Sequence, residues 1–191
     1  MNTLNAEKRD LKVKAKKLRR EGYVTGNLFG RKLEASIPVK MDKRSVAQLL
    51  NHAKKGNEIK LVVDGQDYLV LLKDIQYNPF AKGIDEIDFQ ALVSNEKVHT
   101  TAEIVYLNEE MVTTGVLQIN ISEISYKAYP AALVDEVKVD VGSLKLDDVL
   151  RVKDLDIAKN KDIELMTDPE TVVASVLAPE HNVSDDEEEE A

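Results

Sequence analysis

The sequence predicts a mainly β protein with a few helices: an N-terminal small α-decorated β-barrel plus a C-terminal antiparallel β domain. Three observations predict it. Short apolar, β-branched-rich runs recur between polar or glycine turns. One clear amphipathic helix stands among them. The residue pattern then changes after Ser94-Asn95. A chain of 191 residues has room for one or two domains of roughly 100–200 residues.

In the first half, residues 3–9 form a short candidate strand. Leu11–Glu21 is dense in Lys and Arg, and Leu11, Ala15 and Leu18 fit one narrow helical face ended by Gly22. Val24–Phe29 and Leu33–Lys40 read as strands with Gly30 at the turn. The clearest helix follows: Asp42 as N-cap, Val46, Leu49, Leu50 and Ala53 at i, i+3, i+4, i+7, and Gly56 at the stop. Glu58–Val63 and Gln66–Lys73 flank Asp64-Gly65, a two-residue hairpin signal. Pro79 and Gly83 mark a loop before a strand over Ile84–Val93. Some six strands and two helices suit a small barrel or sandwich.

In the second half, His99–Leu107, Val112–Ile121, Leu133–Val141, Leu150–Val152, Ile163–Leu165 and Val172–Leu177 read as strands, with no sustained helical period. The domain reading is 1–94, 95–180, and an acidic tail, 181–191, whose run SDDEEEEA should be solvated and disordered. No long linker separates the two domains, so they are expected to pack or hinge closely.

Composition excludes much. There is no Cys, hence no disulfide, thiolate metal site or thiol nucleophile. The N-terminus, MNTLNAEKRD, lacks the apolar core of a signal peptide, and no apolar run approaches the roughly 18 residues of a membrane span. A cytoplasmic protein without a membrane partner is expected. The net charge of −9 argues against nucleic acid only until it is divided. Residues 1–93 hold 18 basic and 12 acidic side chains, net +6; residues 94–191 hold 8 and 23, net −15. Such asymmetry suggests an interaction surface on one half.

Catalytic patterns are lacking. His52, His99 and His181 have no partner at ligand spacing, so no metal or other cofactor is expected. No nucleophile elbow, phosphate loop or dinucleotide fingerprint occurs, and no small-molecule substrate is implied. Gly22, Gly26 and Gly30 read as turns and bends in strands. Asp85, Glu86 and Asp88 are the densest carboxylates outside the tail. Glu86 and Asp88 share one face of a strand, which ordinarily means a solvated face.

The strongest compositional signal is the basic cluster Lys8, Arg9, Lys12, Lys14, Lys16, Lys17, Arg19, Arg20. A charge run is usually a solvated helix face. Here eight cations stand against Glu7, Asp10 and Glu21, without the i, i+4 Glu–Lys pairing that would make the run self-stabilising. Contact with nucleic-acid phosphates is the functional reading.

Several segments recur in a recognisable order. They are Leu4-Asn5-Ala6-Glu7 with Arg9, the stretch KKLRREG, Leu28-Phe29-Gly30, VVDGQ, KDIQYNP (Lys73–Pro79) and IDFQAL (Ile87–Leu92). YPAALVDEVKVDVGSLKLDDVLRVKDL and DPETVVASVLAP follow in the second half. Their succession over about residues 3–179 resembles the bacterial large-subunit ribosomal protein twenty-five family in its long form, also called general stress protein Ctc. The resemblance implies a non-catalytic protein of the large (50S) subunit whose N-terminal domain binds 5S rRNA, with large-subunit proteins as further partners. It implies RNA-facing roles for Arg9, Lys12, Lys16, Lys17, Arg19, Phe29, Gln76, Glu86 and Asp88. Lys and Arg would contact phosphates; Gln76 and Asp88 would reach base edges or 2′-hydroxyls in the shallow minor groove.

Three departures stand out. Lys16-Lys17 replace a usual arginine pair and lose its bidentate fork. Phe29 lacks the hydroxyl of the usual Tyr. Glu86 occupies the position of a usual His and brings negative charge to the RNA face. The alternative is a divergent, stress-related paralogue acting as a protein-interaction module with weak or lost RNA binding.

Overall fold

The computed structural model describes residues 2–79 and 83–178. The acidic tail expected over 181–191 lies outside the described residues.

The first half is a closed barrel of six strands. They are β1 (Thr3–Lys8), β2 (Tyr23–Phe29), β3 (Ile37–Asp42), β4 (Glu58–Val63), β5 (Gln66–Asn78) and β6 (Gly83–Ala91). Around the barrel the order is β1-β3-β2-β6-β5-β4, closed by the parallel pair β1–β4. A second parallel pair, β2–β6, brings together strands about sixty residues apart. Closure leaves no free edge to manage. Alternating residues fill the interior: Val24 and Leu28, Val39 and Met41, Ile59, Leu61 and Val63, Ile87 and Phe89 are all buried. At Asp64-Gly65 both φ angles are positive, 49° and 85°, as a type I′ hairpin requires.

Two helices dress the barrel. α1 spans only Ala15–Arg20, shorter than the Leu11–Glu21 helix that spacing predicts. Asp10 explains the late start. Its carboxylate accepts the Lys12 amide at 2.9 Å and its carbonyl accepts the Val13 amide at 3.0 Å, a local turn that competes with helix. Leu11, assigned by spacing to the apolar face, is 72% exposed, and Leu18 alone anchors α1. α2 (Lys43–Leu50) starts where predicted: the Asp42 carboxylate accepts the Ser45 amide at 3.0 Å, which holds that carboxyl below its usual range. It stops at Leu50, six residues before the predicted stop, yet Val46, Leu49 and Ala53 still reach the core. The strand predicted over Leu33–Lys40 begins only at Ile37; residues 31–36 form the connection from β2.

The second half builds two sheets around its own core. The strands are β7 (Val98–Leu107), β8 (Val116–Ile119), β9 (Glu123–Ala128), β10 (Glu136–Asp140), β11 (Val149–Arg151), β12 (Ile163–Leu165) and β13 (Val172–Leu177). One sheet runs β10-β7-β9-β12, the other β11-β13-β8. Pairing is antiparallel except between β10 and β7, which are parallel. β9 is absent from the sequence prediction, although Ile124, Tyr126 and Ala128 alternate inward. The predicted runs over 112–121 and 133–141 contract to β8 and β10, and a four-residue helix, α3 (Asp156–Lys159), interrupts the strands. Two tyrosines tie this core through their hydroxyls. Tyr126 donates to the Val134 carbonyl at 3.1 Å and accepts the Val134 amide at 2.9 Å. Tyr106 donates to the Ile121 carbonyl at 2.5 Å, and burial pushes its hydroxyl up to about 12.

The two halves pack closely through unlike charges. Lys54 pairs with Glu103, and Lys55 with Glu123 at 3.7 Å. Asn57 donates to Asp135 at 2.6 Å. Lys73, the first residue of KDIQYNP, donates to the His99 carbonyl at 2.5 Å; its burial lowers its pKa. Gly56 (φ 93°) lies against the Thr101 carbonyl, in the place where a Cβ would stand.

Two stability outcomes follow from these contacts. Gly26 sits in mid-strand, where a Cβ would run into the Ile87 carbonyl of β6. Gly26→Ala should therefore cost about 1–3 kcal/mol in denaturant unfolding. A variant as stable as the parent would show that β2 and β6 separate freely. Tyr126→Phe keeps the ring and strands both Val134 groups, so a loss of about 1–3 kcal/mol is expected. An unchanged midpoint would mean the hydroxyl contributes nothing.

Candidate nucleic-acid interface

The parallel pairing of β2 with β6 organises the outer face of the barrel. Its register sets Thr25 beside Glu86, Asn27 beside Asp88 and Phe29 beside Gln90. On the other side of β6, Gln76 of β5 lies opposite Glu86, and Asp74 opposite Asp88. Because strand side chains alternate, Asn27, Phe29, Glu86 and Asp88 all emerge on the outside. Gln76 is exposed on the same stretch. Four of the nine residues that the resemblance marks, Phe29, Gln76, Glu86 and Asp88, thus fall on three adjacent strands.

Asn27 joins the two carboxylates. Its amide nitrogen donates to Glu86 Oε1 and to Asp88 Oδ1, each at 3.2 Å. Both carboxylates therefore point the same way, held by one neutral donor rather than by a cation. Sequence reasoning missed Asn27. The signal was present: it lies two residues before Phe29 on a strand, hence on the same face.

The cations enter from α1. Leu18 packs the helix against the barrel, and Arg19 Nη1 reaches Asp85 Oδ2 at 2.9 Å. Asp85 also accepts Asn78 Nδ2 at 3.0 Å. Lys16, Arg19, Arg20, Tyr23 and Lys43 line an open cleft of about 410 Å³ that Asp85 closes on the β6 side. Tyr23 and Lys43 are additions to the sequence-derived residues, while Arg20 belongs to the basic cluster but not to the nine that the resemblance marks. A cleft with four cations and one paired carboxylate suits a phosphate group.

The remaining basic residues divide. Lys12 and Lys16 are exposed, and Lys17 is exposed beside Glu21. Lys17 and Glu21 form the i, i+4 pair, at 3.8 Å, that the sequence reading excluded. With Lys before Glu it is the weaker order. Arg9 differs from the rest. Its Nη2 donates to the Val13 carbonyl at 3.2 Å and its backbone N–H to Pro38 at 2.8 Å. The side chain braces the turn before α1, and its Nε is buried without a partner. Arg9 belongs first to the fold.

Among the described residues no group of three or more His, Asp or Glu could hold a metal ion. Among the described residues no helix is long and apolar enough to cross a membrane.

Comparison with known proteins bears on both halves. The Ribosomal L25p family matches residues 4–89, and the C-terminal domain of ribosomal protein TL5 matches residues 97–180. Relatives named large ribosomal subunit protein bL25 align along nearly the whole chain. The one from Syntrophomonas wolfei is 30% identical, over 97% of this chain and 90% of its own. The one from Bacillus velezensis is 30% identical, over 99% and 94%. That of Caldanaerobacter subterraneus is 27% identical, over 98% and 94%. These are structural proteins rather than enzymes. A barrel and a second β unit matched in that order, with relatives of the same length, place the chain in the bL25 family of large ribosomal subunit proteins, in its long, two-domain form.

Proposed function

We propose that the chain binds 5S rRNA as a structural component of the large subunit, through the outer face of its N-terminal barrel. Residues 1–94 would be the RNA-binding domain and residues 95–180 a separate β domain turned away from RNA. The observation that carries this reading is the adjacency of two unlike surfaces. The cleft of Lys16, Arg19, Arg20 and Lys43 lies beside the polar row of Asn27, Gln76, Glu86 and Asp88, and Asp85 belongs to the cleft and to the row's strand β6.

The two surfaces do different work. Cations on α1, Lys17 among them, with Lys12 just before the helix, neutralise phosphates and set the register on the RNA helix. The polar row reads what the shallow minor groove offers. Asp88 accepts from a guanine amino group, and Gln76 donates to or accepts from a 2′-hydroxyl or base edge. Phe29 packs on a sugar or base face at the end of β2. Arg9 supports the interface indirectly, by holding the turn from which α1 departs.

Glu86 opposes binding where the family's usual His would favour it. Asn27 tempers that by donating to the carboxylate, but the charge remains. The acidic second half, net −8 over residues 95–178, repels RNA and favours protein neighbours or solvent.

A salt series tests the reading. With about four phosphates neutralised by the cleft and the other basic residues of α1 together, the slope of log K for 5S rRNA against log[salt] should lie between about −3 and −4. Absent or salt-insensitive binding would favour the protein-interaction alternative. Glu86→His should tighten binding at fixed salt by removing the repulsive charge. Unchanged affinity would show that position 86 does not meet RNA.

A further inference from the structure

The acidic half carries a cationic corner, and it lies at the seam. Residues 95–178 hold eight basic side chains against sixteen acidic ones. Five of the eight, Lys97, Lys138, Arg151, Lys153 and Lys159, are held in ion pairs within that half. Lys127 is not. The pairing of β7 with β9 sets it directly opposite His99. Val98 and Ala128, the next pair along, are buried, so His99 and Lys127 both turn to the outer face of the sheet.

The barrel adds two lysines at the same place. Lys73 of β5 donates to the His99 carbonyl at 2.5 Å. The Gly56 amide donates to the Leu72 carbonyl at 2.8 Å, which brings Lys55 beside Lys73. The nearby carboxylates are engaged elsewhere. Glu123 faces Lys55 at 3.7 Å, and Glu164, opposite Lys127 on β12, pairs with Lys97 at 3.3 Å. Among the described residues no carboxylate forms an ion pair with Lys73 or Lys127. The exposed imidazole registers the crowding: partial burial, then Lys73, Lys127 and Lys55, hold the pKa of His99 below its ordinary value. Like charges gathered in this way repel one another, and an anion placed among them relieves the repulsion.

The corner borders the polar row of the barrel. Lys73 stands at a bulge in β5, and Asp74, the next residue, lies opposite Asp88 of the row. Asn78, five residues beyond Lys73 on the same strand, lines the α1 cleft. At about 3.3 Å per residue, the two groups of cations stand about 15 Å apart along β5, with Asp74 and Gln76 between them. An RNA helix that lays its shallow minor groove over the row carries phosphates along both rims of that groove.

We propose that Lys55, Lys73, His99 and Lys127 form a second phosphate-binding site, which holds one rim of the RNA minor groove while the α1 cleft holds the other. The proposal rests on the reading of the barrel as a 5S rRNA-binding face. It carries that face across the seam and makes this corner an exception to the repulsion of RNA by the acidic half. The contacts of Lys54 with Glu103 and of Gly56 with Thr101 then fix the spacing of the two sites.

Binding of 5S rRNA to the full chain across a salt series tests it. Lys127→Gln should weaken binding about 5–8-fold at about 0.1 M salt and make the slope of log K against log[salt] shallower by about 1. Lys127→Arg keeps the charge and should bind as the parent does. Lys161→Gln removes the same charge from an exposed site in the same half and should change neither quantity. His99 gives a second readout. In a pH titration of the carbon-13-labelled chain by NMR, 5S rRNA should raise the pKa of its imidazole, because a phosphate favours the imidazolium. Inorganic phosphate and a Glu octapeptide at matched charge concentration should raise it less. A parent-like slope for Lys127→Gln, a Lys127→Arg chain as weak as Lys127→Gln, or an equal loss in Lys161→Gln would each overturn the proposal. So would a His99 titration that 5S rRNA leaves in place or that either small anion shifts as far. In all these cases 5S rRNA binding by the parent still stands; a parent that does not bind 5S rRNA overturns both readings.

Discussion

The parallel pairing of β2 with β6 is the constraint on which the molecule rests. The two strands lie about sixty residues apart in sequence, and only their pairing, with β1 against β4, turns two antiparallel ribbons into a barrel. The contact is close because Gly26 has no side chain to hold Ile87 away. Non-local pairing of this kind carries a loop-closure cost that only the completed core repays. The same register sets Asn27 between Glu86 and Asp88. Core formation and construction of the outer polar row are thus a single event, with apolar residues turned in and polar residues turned out by the same alternation.

Charge is the second organising principle, and it works at two scales. Across the chain, basic and acidic residues are segregated into different halves. At the seam the segregation becomes adhesive: Lys54 and Lys55 meet Glu103 and Glu123, and Asn57 meets Asp135. Exposed pairs of this type contribute about 0–1 kcal/mol each, so the seam owes its fit to more than ion pairs. The close approach of Gly56 to Thr101 and the half-buried Lys73 supply the packing. The carboxylates at the seam also show strain of charge: burial, with Asp135 nearby, raises the pKa of Glu58. Glu58 therefore binds its proton more tightly folded than unfolded. Its contribution to stability is greatest below the ordinary carboxylate pKa and declines as pH rises through the raised value.

Much of this was legible in the residues. The hairpin at Asp64-Gly65, the Asp42 cap and the inward face of α2 each rest on local chemistry, and each stands where spacing puts it. The misses have physical causes. Asp10 satisfies two backbone amides locally and so delays α1 by four residues. β9 is short and half polar, and its stability comes from neighbours on both sides rather than from its own composition. The parallel pairing of β10 with β7 is a tertiary outcome that no local pattern encodes. At the outer face, alternation found Glu86 and Asp88 together. The role of Asn27 needed the register of β2 against β6, which sequence does not display.

The internal partners of the basic residues bear on how such a surface discriminates. Arg19 is paired with Asp85 and Lys17 with Glu21, so the free protein already screens part of its positive field. A polyanion must displace or share those carboxylates before it gains the cations. For an exposed pair the displacement costs only about 0–1 kcal/mol. Asp85 is harder to displace, because Asn78 also donates to it and both members of the Arg19 pair are two-thirds covered. Weak, purely electrostatic contacts are thus discounted, while a ligand that also satisfies the Asn27, Gln76 and Asp88 row is not. Negative charge within a nucleic-acid face lowers affinity for every polyanion alike. It lowers specificity only if the polar row goes unused, and here the row and the cleft share β6. On the proposed RNA face the acidic residues would therefore act as a threshold that favours shape and hydrogen-bond complementarity over charge alone.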